Sequence, residues 1–247
     1  MADIHILNGD ALLAQIPDSI PGKRLVMREC LMDGPVASPS LEEFFRKRCS
    51  FLNELSGDLS FKEYEEKTIS QINALKNSST EDSLYLWFEE DLFCQVNLWF
   101  CLYILQEYSS IDQAFLVKPD HHSPYSFGFY NSQQLEVLYA NKLTIINLKP
   151  WSDLWKAYQN EDWSELKKLG ASLNPHYPFL MPAINAQLER LQTDTSYGRP
   201  LDMVMKLVAE GKSFPEVFRS IYKSETIYGF GDLQVKRLYD LARSINK

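Results

Sequence analysis

The chain lacks most of the signatures that assign a chemistry directly. No C-x-x-C pair connects its four cysteines, Cys30, Cys49, Cys94 and Cys101. Each lies in an apolar or helical stretch, which gives a zinc site or a disulfide framework little support and makes reduced thiols in a cytoplasmic protein the expectation. The sequence has no G-x-G-x-x-G, no G-x-x-x-x-G-K-[ST] and no G-x-S-x-G, so the usual warrants for dinucleotide, nucleoside triphosphate and serine hydrolase chemistry are missing. The first residues, MADIHILNGD, carry no basic stretch followed by an apolar signal core. The longest apolar run, Leu92 to Leu105, covers 14 residues and includes Gln95 and Asn97, too short and too polar to span a bilayer.

Positive charge is also scarce, and unevenly so. Of 25 Lys and Arg and 33 Asp and Glu, 13 and 12 lie from Trp151 onward, which leaves 12 and 21 in residues 1 to 150. An acidic amino part argues against nucleic-acid partners there, because affinity for a phosphate backbone rests on Lys and Arg.

What the chain does have is a rhythm of short apolar runs and helical periodicities. Ile4 to Leu7, Arg24 to Glu29, Leu84 to Phe88 and Gln113 to Val117 read as strands, and Leu143 to Ile146 as a further strand or an extended connection. Helix starts are signalled by Ser40 with Glu43 and by Ser60 with Glu63, each spaced as in a capping box. Leu92 to Leu105 is apolar on nearly every side, as a helix covered on all faces must be. Alternating strands and helices predict an α/β fold with a mostly parallel sheet of four or five strands. Beyond Pro150 the periodicity is helical throughout: Trp151 to Gln159, Trp163 to Leu169, Met181 to Leu191, Asp202 to Glu210, Phe214 to Tyr222 and Leu233 to Ser244. The expected organisation is a Rossmann-like domain over 1–150 and a helical domain over 151–247. Around Gly211 a helix-turn-helix is conceivable, but the near-neutral charge favours packed bundle helices.

The stretches HILNGD (His5 to Asp10), RECLMDGPV (Arg28 to Val36) and LWFEEDLFCQVNL (Leu86 to Leu98) resemble, in order and spacing, the bacterial family catalogued as domain of unknown function 1835. The resemblance runs more loosely through Phe129 to Leu138, Leu154 to Leu169 and the closing GFGDLQVKRLYDLA. Cys30 stands where small residues such as alanine are frequent in that family. The resemblance supplies candidate positions and no reaction.

Three strand ends carry acids: Asp10, Asp33 and the Glu89-Glu90-Asp91 run. Singly, each has an ordinary explanation. Asp10 can cap the following helix, Asp33-Gly34-Pro35 is a good turn, and acids at a helix start suit the helix dipole. Together they would deliver carboxylates to one edge of one parallel sheet, where open α/β sheets bind ligands. Converging carboxylates need a neutralising partner. Either a Mg²⁺-like ion with oxygen ligands supplies it, or basic groups do, with Arg28 and a ligand amine as candidates.

The candidate catalytic residues are therefore Asp10, Asp33, Glu89 and Asp91. Asn8, Gly9, Arg28, Glu29, Gly34 and Gln95 are the candidate ligand-binding residues, and Gln95 shares a helix face with Asp91. Pro119 to Tyr130 reads as a loop over this edge, in which His121 and His122 are most simply solvated, and His5 is a structural histidine. The turn Tyr228 to Asp232 is placed to cover the cleft. The expected function is a hydrolase or transferase for a small polar or nucleotide-like ligand. The alternative is a ligand sensor or adaptor whose helical part contacts protein or DNA. No membrane partner is expected.

Overall fold

The computed structural model describes residues 2–111, 113–120 and 126–245. Strands β1 (Asp3–Leu7), β2 (Lys23–Val26), β3 (Ser83–Trp87) and β4 (Gln113–Val117) are parallel. The sheet is completed by β5 (Leu143–Ile146), antiparallel to β4 at the edge, in the order β2-β1-β3-β4-β5. The four parallel strands end in buried apolar residues such as Leu7, Val26, Trp87 and Val117, the near-continuous apolar pattern of strands covered on both faces. The order reverses between β1 and β3, because the chain leaves β1 toward β2 on one side and later enters β3 on the other. Loops leaving these two strands diverge, and the crevice between them is where such sheets bind ligands.

Helix α1 (Asp10–Gln15) follows β1. Between β2 and β3 come α2 (Leu41–Ser56), α3 (Phe61–Tyr64) and α4 (Ser70–Lys76), the last two joined by a π-helical turn over Glu65–Ile69. Ser60 and Glu63 form the complete capping box, while Ser40 accepts the Glu43 N–H. Helix α5 (Leu92–Tyr108) is the centre of the molecule, with neighbours on all its faces. Each fully buried side chain of the size of its Leu98 or Phe100 contributes about 1.5–3 kcal/mol. Helix α6 (Ser132–Ala140) packs with α1 on the other face of the sheet, over Leu7, Trp87 and Val117.

The remaining helices are α7 (Lys149–Gln159), α8 (Trp163–Leu173), α9 (Leu180–Glu189), α10 (Arg199–Ala209), α11 (Phe214–Ser224) and α12 (Asp232–Ile245). Pro150 lies in the first turn of α7, where its missing N–H costs nothing. Trp151, Leu154 and Trp155 of that helix belong to the same apolar core as α5, as do Leu180 and Ile184 of α9. Only α10 to α12 gather a core of their own, around Val204, Val217, Ile221 and Val235. No helix among the described residues is long and apolar enough to cross a membrane.

Candidate functional site

The acids after β3 part company within three residues. Asp91 is the N-cap of α5 and accepts the Cys94 N–H on Oδ1 at 3.0 Å. Glu90 turns toward β4 and pairs with Lys118 at 2.7 Å. Glu89 turns inward, where its Oε1 accepts the Phe127 N–H at 3.4 Å and its Oε2 lies 3.7 Å from the Cys94 thiol. One ligand atom from each of Glu89, Asp91 and Cys94 falls within 4.8 Å of the other two. Gln95 is fully buried and donates to the Glu89 carbonyl at 2.6 Å, so it braces the turn from behind.

The end of β1 meets this group from the neighbouring strand. Gly9 holds φ at 108°, which lets the chain turn sharply into α1. Asn8, just before it, donates to Cys94 Sγ at 2.9 Å and accepts from Asn97 at 3.0 Å. Asn97 also donates to the Glu29 carbonyl at 2.8 Å and accepts the Leu31 N–H at 3.2 Å. One buried amide on α5 thus ties the loops after β1 and β2 to the helix that carries Cys94. Asn97 was not among the residues expected here. The signal was its presence on a helix apolar all round, since a buried amide must find partners.

These groups floor a cavity of about 250 Å³. The carboxyl-terminal helices roof it, through Glu225 after α11 and through Gly229, Phe230 and Gly231, the turn expected to cover the cleft. Gly229 has φ 63°, and a Cβ there would lie 2.1 Å from Asp91 Oδ1, so only glycine lets the roof come this close. Burial, then the charge and hydrogen bond of Asp91, push the Glu89 carboxyl up to about 9, against a small opposing effect of the Cys94 hydrogen bond. Burial first, then Asp91 and Glu89, also raise the Cys94 thiol well above its ordinary value. At neutral pH the Glu89–Asp91 pair therefore holds a proton and the thiol is protonated. Glu225 is answered by Arg199 at 3.0 Å. Among the described residues, no lysine, arginine or histidine lines the cavity.

The other expected site residues lie elsewhere. Asp10 does not cap α1, because Gly9 occupies the cap position without a side-chain bond. Asp10 instead takes a bidentate grip from Arg28 at 2.7–3.1 Å, which holds its carboxyl below the usual carboxylate range. Arg28, one of the candidates to neutralise the cluster, is occupied by Asp10 and by the Lys67 carbonyl. Glu29 is buried against Arg48 at 2.8 Å and the Tyr64 hydroxyl at 2.5 Å. Asp33 pairs with Arg190 at 2.7 Å in a separate cavity. Gly34, with φ 75°, packs against the Phe51 ring, where a Cβ would lie 2.6 Å away. The carboxylates do not converge on one cleft, because each acid after β1 and β2 has acquired its own arginine.

His5 is structural, as expected. Its Nδ1 accepts from Trp87 Nε1 and its Nε2 donates to the Pro21 carbonyl, both at 3.0 Å, and burial lowers its pKa. His121 and His122 lie outside the described residues. An all-oxygen Mg²⁺ site does not match the donors present, since Cys94 contributes sulfur and hard cations take oxygen. Comparison of the chain with protein-family models, with curated proteins and with solved structures found no match.

Proposed function

We propose that the chain is a hydrolase or transferase acting on a small polar molecule, with Glu89 and Asp91 as its acid–base pair. One observation carries this reading: two adjacent carboxyl groups, Glu89 and Asp91, face a cavity at the β1/β3 reversal, and burial together with Asp91 raises the affinity of Glu89 for a proton. Paired carboxyl groups with separated affinities for a proton are a recurrent way to run acid and base chemistry together at neutral pH. In this scheme protonated Glu89 donates to the leaving group. Asp91 accepts the proton of the attacking water or acceptor hydroxyl. Asn8 and the Phe127 and Cys94 amides fix the geometry.

A Rossmann-like domain over 1–150 would supply the floor, and the α10 to α12 part of the helical region over 151–247 the roof. A phosphate in this cavity would be repelled by its carboxylates, so amine, sugar or nucleoside hydroxyl groups suit it better. The resemblance to the domain of unknown function 1835 family belongs to the same reading, since its first three motifs contain Asn8, Glu89, Asp91 and Asn97. A cytoplasmic location agrees with four free, buried cysteines.

A thermal-shift screen against amines, nucleosides, sugars and the ions Mg²⁺, Mn²⁺ and Zn²⁺ tests the proposal, because a ligand of the native state raises Tm by mass action. A hit lost in both Glu89→Gln and Asp91→Asn supports it. A hit that binds both variants as tightly as the parent sinks it. The second reading, a ligand-sensing adaptor, is favoured by the separate core of α10 to α12, which would let an occupied cavity reposition a partner surface. A partner captured only in the presence of the hit, with no turnover of it, would select that reading.

A further inference from the structure

Phe230 borders a second cavity as well, of about 510 Å³, walled by the loop after β2, the end of α9 and helices α10 and α12. This is a volume typical of ligand pockets, which run from roughly 300 to 1,000 Å³. Unlike the first, it is lined by basic side chains. Asp33 is met by two guanidinium groups, Arg190 at 2.7 Å and Arg237 at 3.7 Å. The only other acid lining it among the described residues, Asp240, is answered by Lys236 at 2.5 Å. With Asp240 paired to Lys236 outside the lining, the Asp33 end carries one more guanidinium than carboxylate, and the rest of the wall is largely apolar, with Pro200, Leu201, Leu238 and Leu241.

The two arginines are not equally engaged. Arg190 is fixed by the Met32 carbonyl at 2.8 Å and by Asp33. Arg237 rests 5.2 Å from the Phe51 ring centroid, and its ionic partner among the described residues is Asp33, at a distance too long for a strong hydrogen bond. Asp33 thus orients the pair, while the Arg237 fork keeps donors for a second oxyanion. We propose that this cavity binds a small amphipathic anion, a carboxylate or phosphate monoester. Arg237 and Arg190 hold the oxyanion, and Leu201, Leu238 and Leu241 cover the apolar body. The site is independent of the acid–base reading of the first cavity.

Isothermal titration of the full chain with hexanoate and with phenyl phosphate, and with hexylamine as the oppositely charged probe, tests this. The expected result is saturable binding of at least one anion and none of hexylamine. Arg237→Gln weakens that binding by about tenfold or more, the loss of one charge-assisted contact. Leu241→Trp, which fills the cavity and leaves both arginines in place, abolishes it. Glu89→Gln leaves it unchanged, so a failure of this proposal and a failure of the acid–base proposal are distinguishable. The proposal is overturned if neither anion binds the parent chain saturably, if hexylamine binds equally well, or if folded Arg237→Gln and Leu241→Trp both bind like the parent.

Discussion

Two groups of acids stand at strand ends of the same sheet, with β1 between them, and their surroundings differ. After β2, Glu29 is buried but meets Arg48, the Tyr64 hydroxyl and the Cys30 N–H, while Asp33 meets Arg190. After β3, Glu89 and Asp91 meet each other, a thiol and backbone amides. A buried carboxylate with its own guanidinium is a structural tie. Arg48 donates to Glu29 and to the carbonyls of Cys30 and Asp33, so it holds the whole β2 loop. Glu89, buried beside a second carboxyl, has its affinity for a proton raised, and a proton held in a cavity is chemically useful. Acidity alone did not separate a site from a tie; the partner did.

The largest effect should come from breaking the tie. Arg48→Met leaves Glu29 buried without its cation, and should cost about 3–5 kcal/mol in urea unfolding. A loss under about 1 kcal/mol would mean that the pair is not the tie described. Next comes the roof over the protonated pair. Gly229→Ala forces a Cβ toward Asp91 Oδ1 at a positive φ, so it should destabilise by about 2–3 kcal/mol and weaken any ligand of the first cavity.

Glu89→Gln should act in the opposite direction from Arg48→Met. It removes a carboxyl that the fold holds in an unfavourable site, and should stabilise the chain at pH 8, by an amount that grows as pH rises, while removing the proposed general acid. The smallest effect is at Asp10, whose side chain is exposed. Asp10→Asn should change stability by less than about 1 kcal/mol, and should remove only the small part of acid denaturation that appears as pH falls through this lowered carboxyl.

Much of the fold was legible because local patterns agree with it. The all-apolar face of Leu92 to Leu105 marked the central helix, and the strand–helix alternation marked the sheet. Asp91 was legible as a helix start, and Tyr228 to Asp232 as a turn. The partners of the acids were not legible. Asp33 finds Arg190 across 157 residues, and only the packing of α9 and α12 against the β2 loop decides that. Nothing in the sequence sets Arg48 apart from the other charges of α2, although its guanidinium is completely buried. The core shared by α5 and α7 was hidden for a related reason. Amphipathic periodicity shows that a helix has an apolar face, but not which element covers it.

The central claim is that the Glu89–Asp91 pair holds a proton in the folded chain at neutral pH, and the difference in unfolding free energy between the parent and Glu89→Gln, followed from pH 5 to pH 9.5, tests it most directly. With the folded value near 9 and an ordinary value of 4.5 in the unfolded chain, the folded state holds the extra proton between them, so parental stability should fall with rising pH relative to the variant. The gap should widen steadily and level off near pH 9. Parallel curves across the whole range would contradict it, because they would mean that Glu89 is ionised in the fold and that the cavity holds no proton to give.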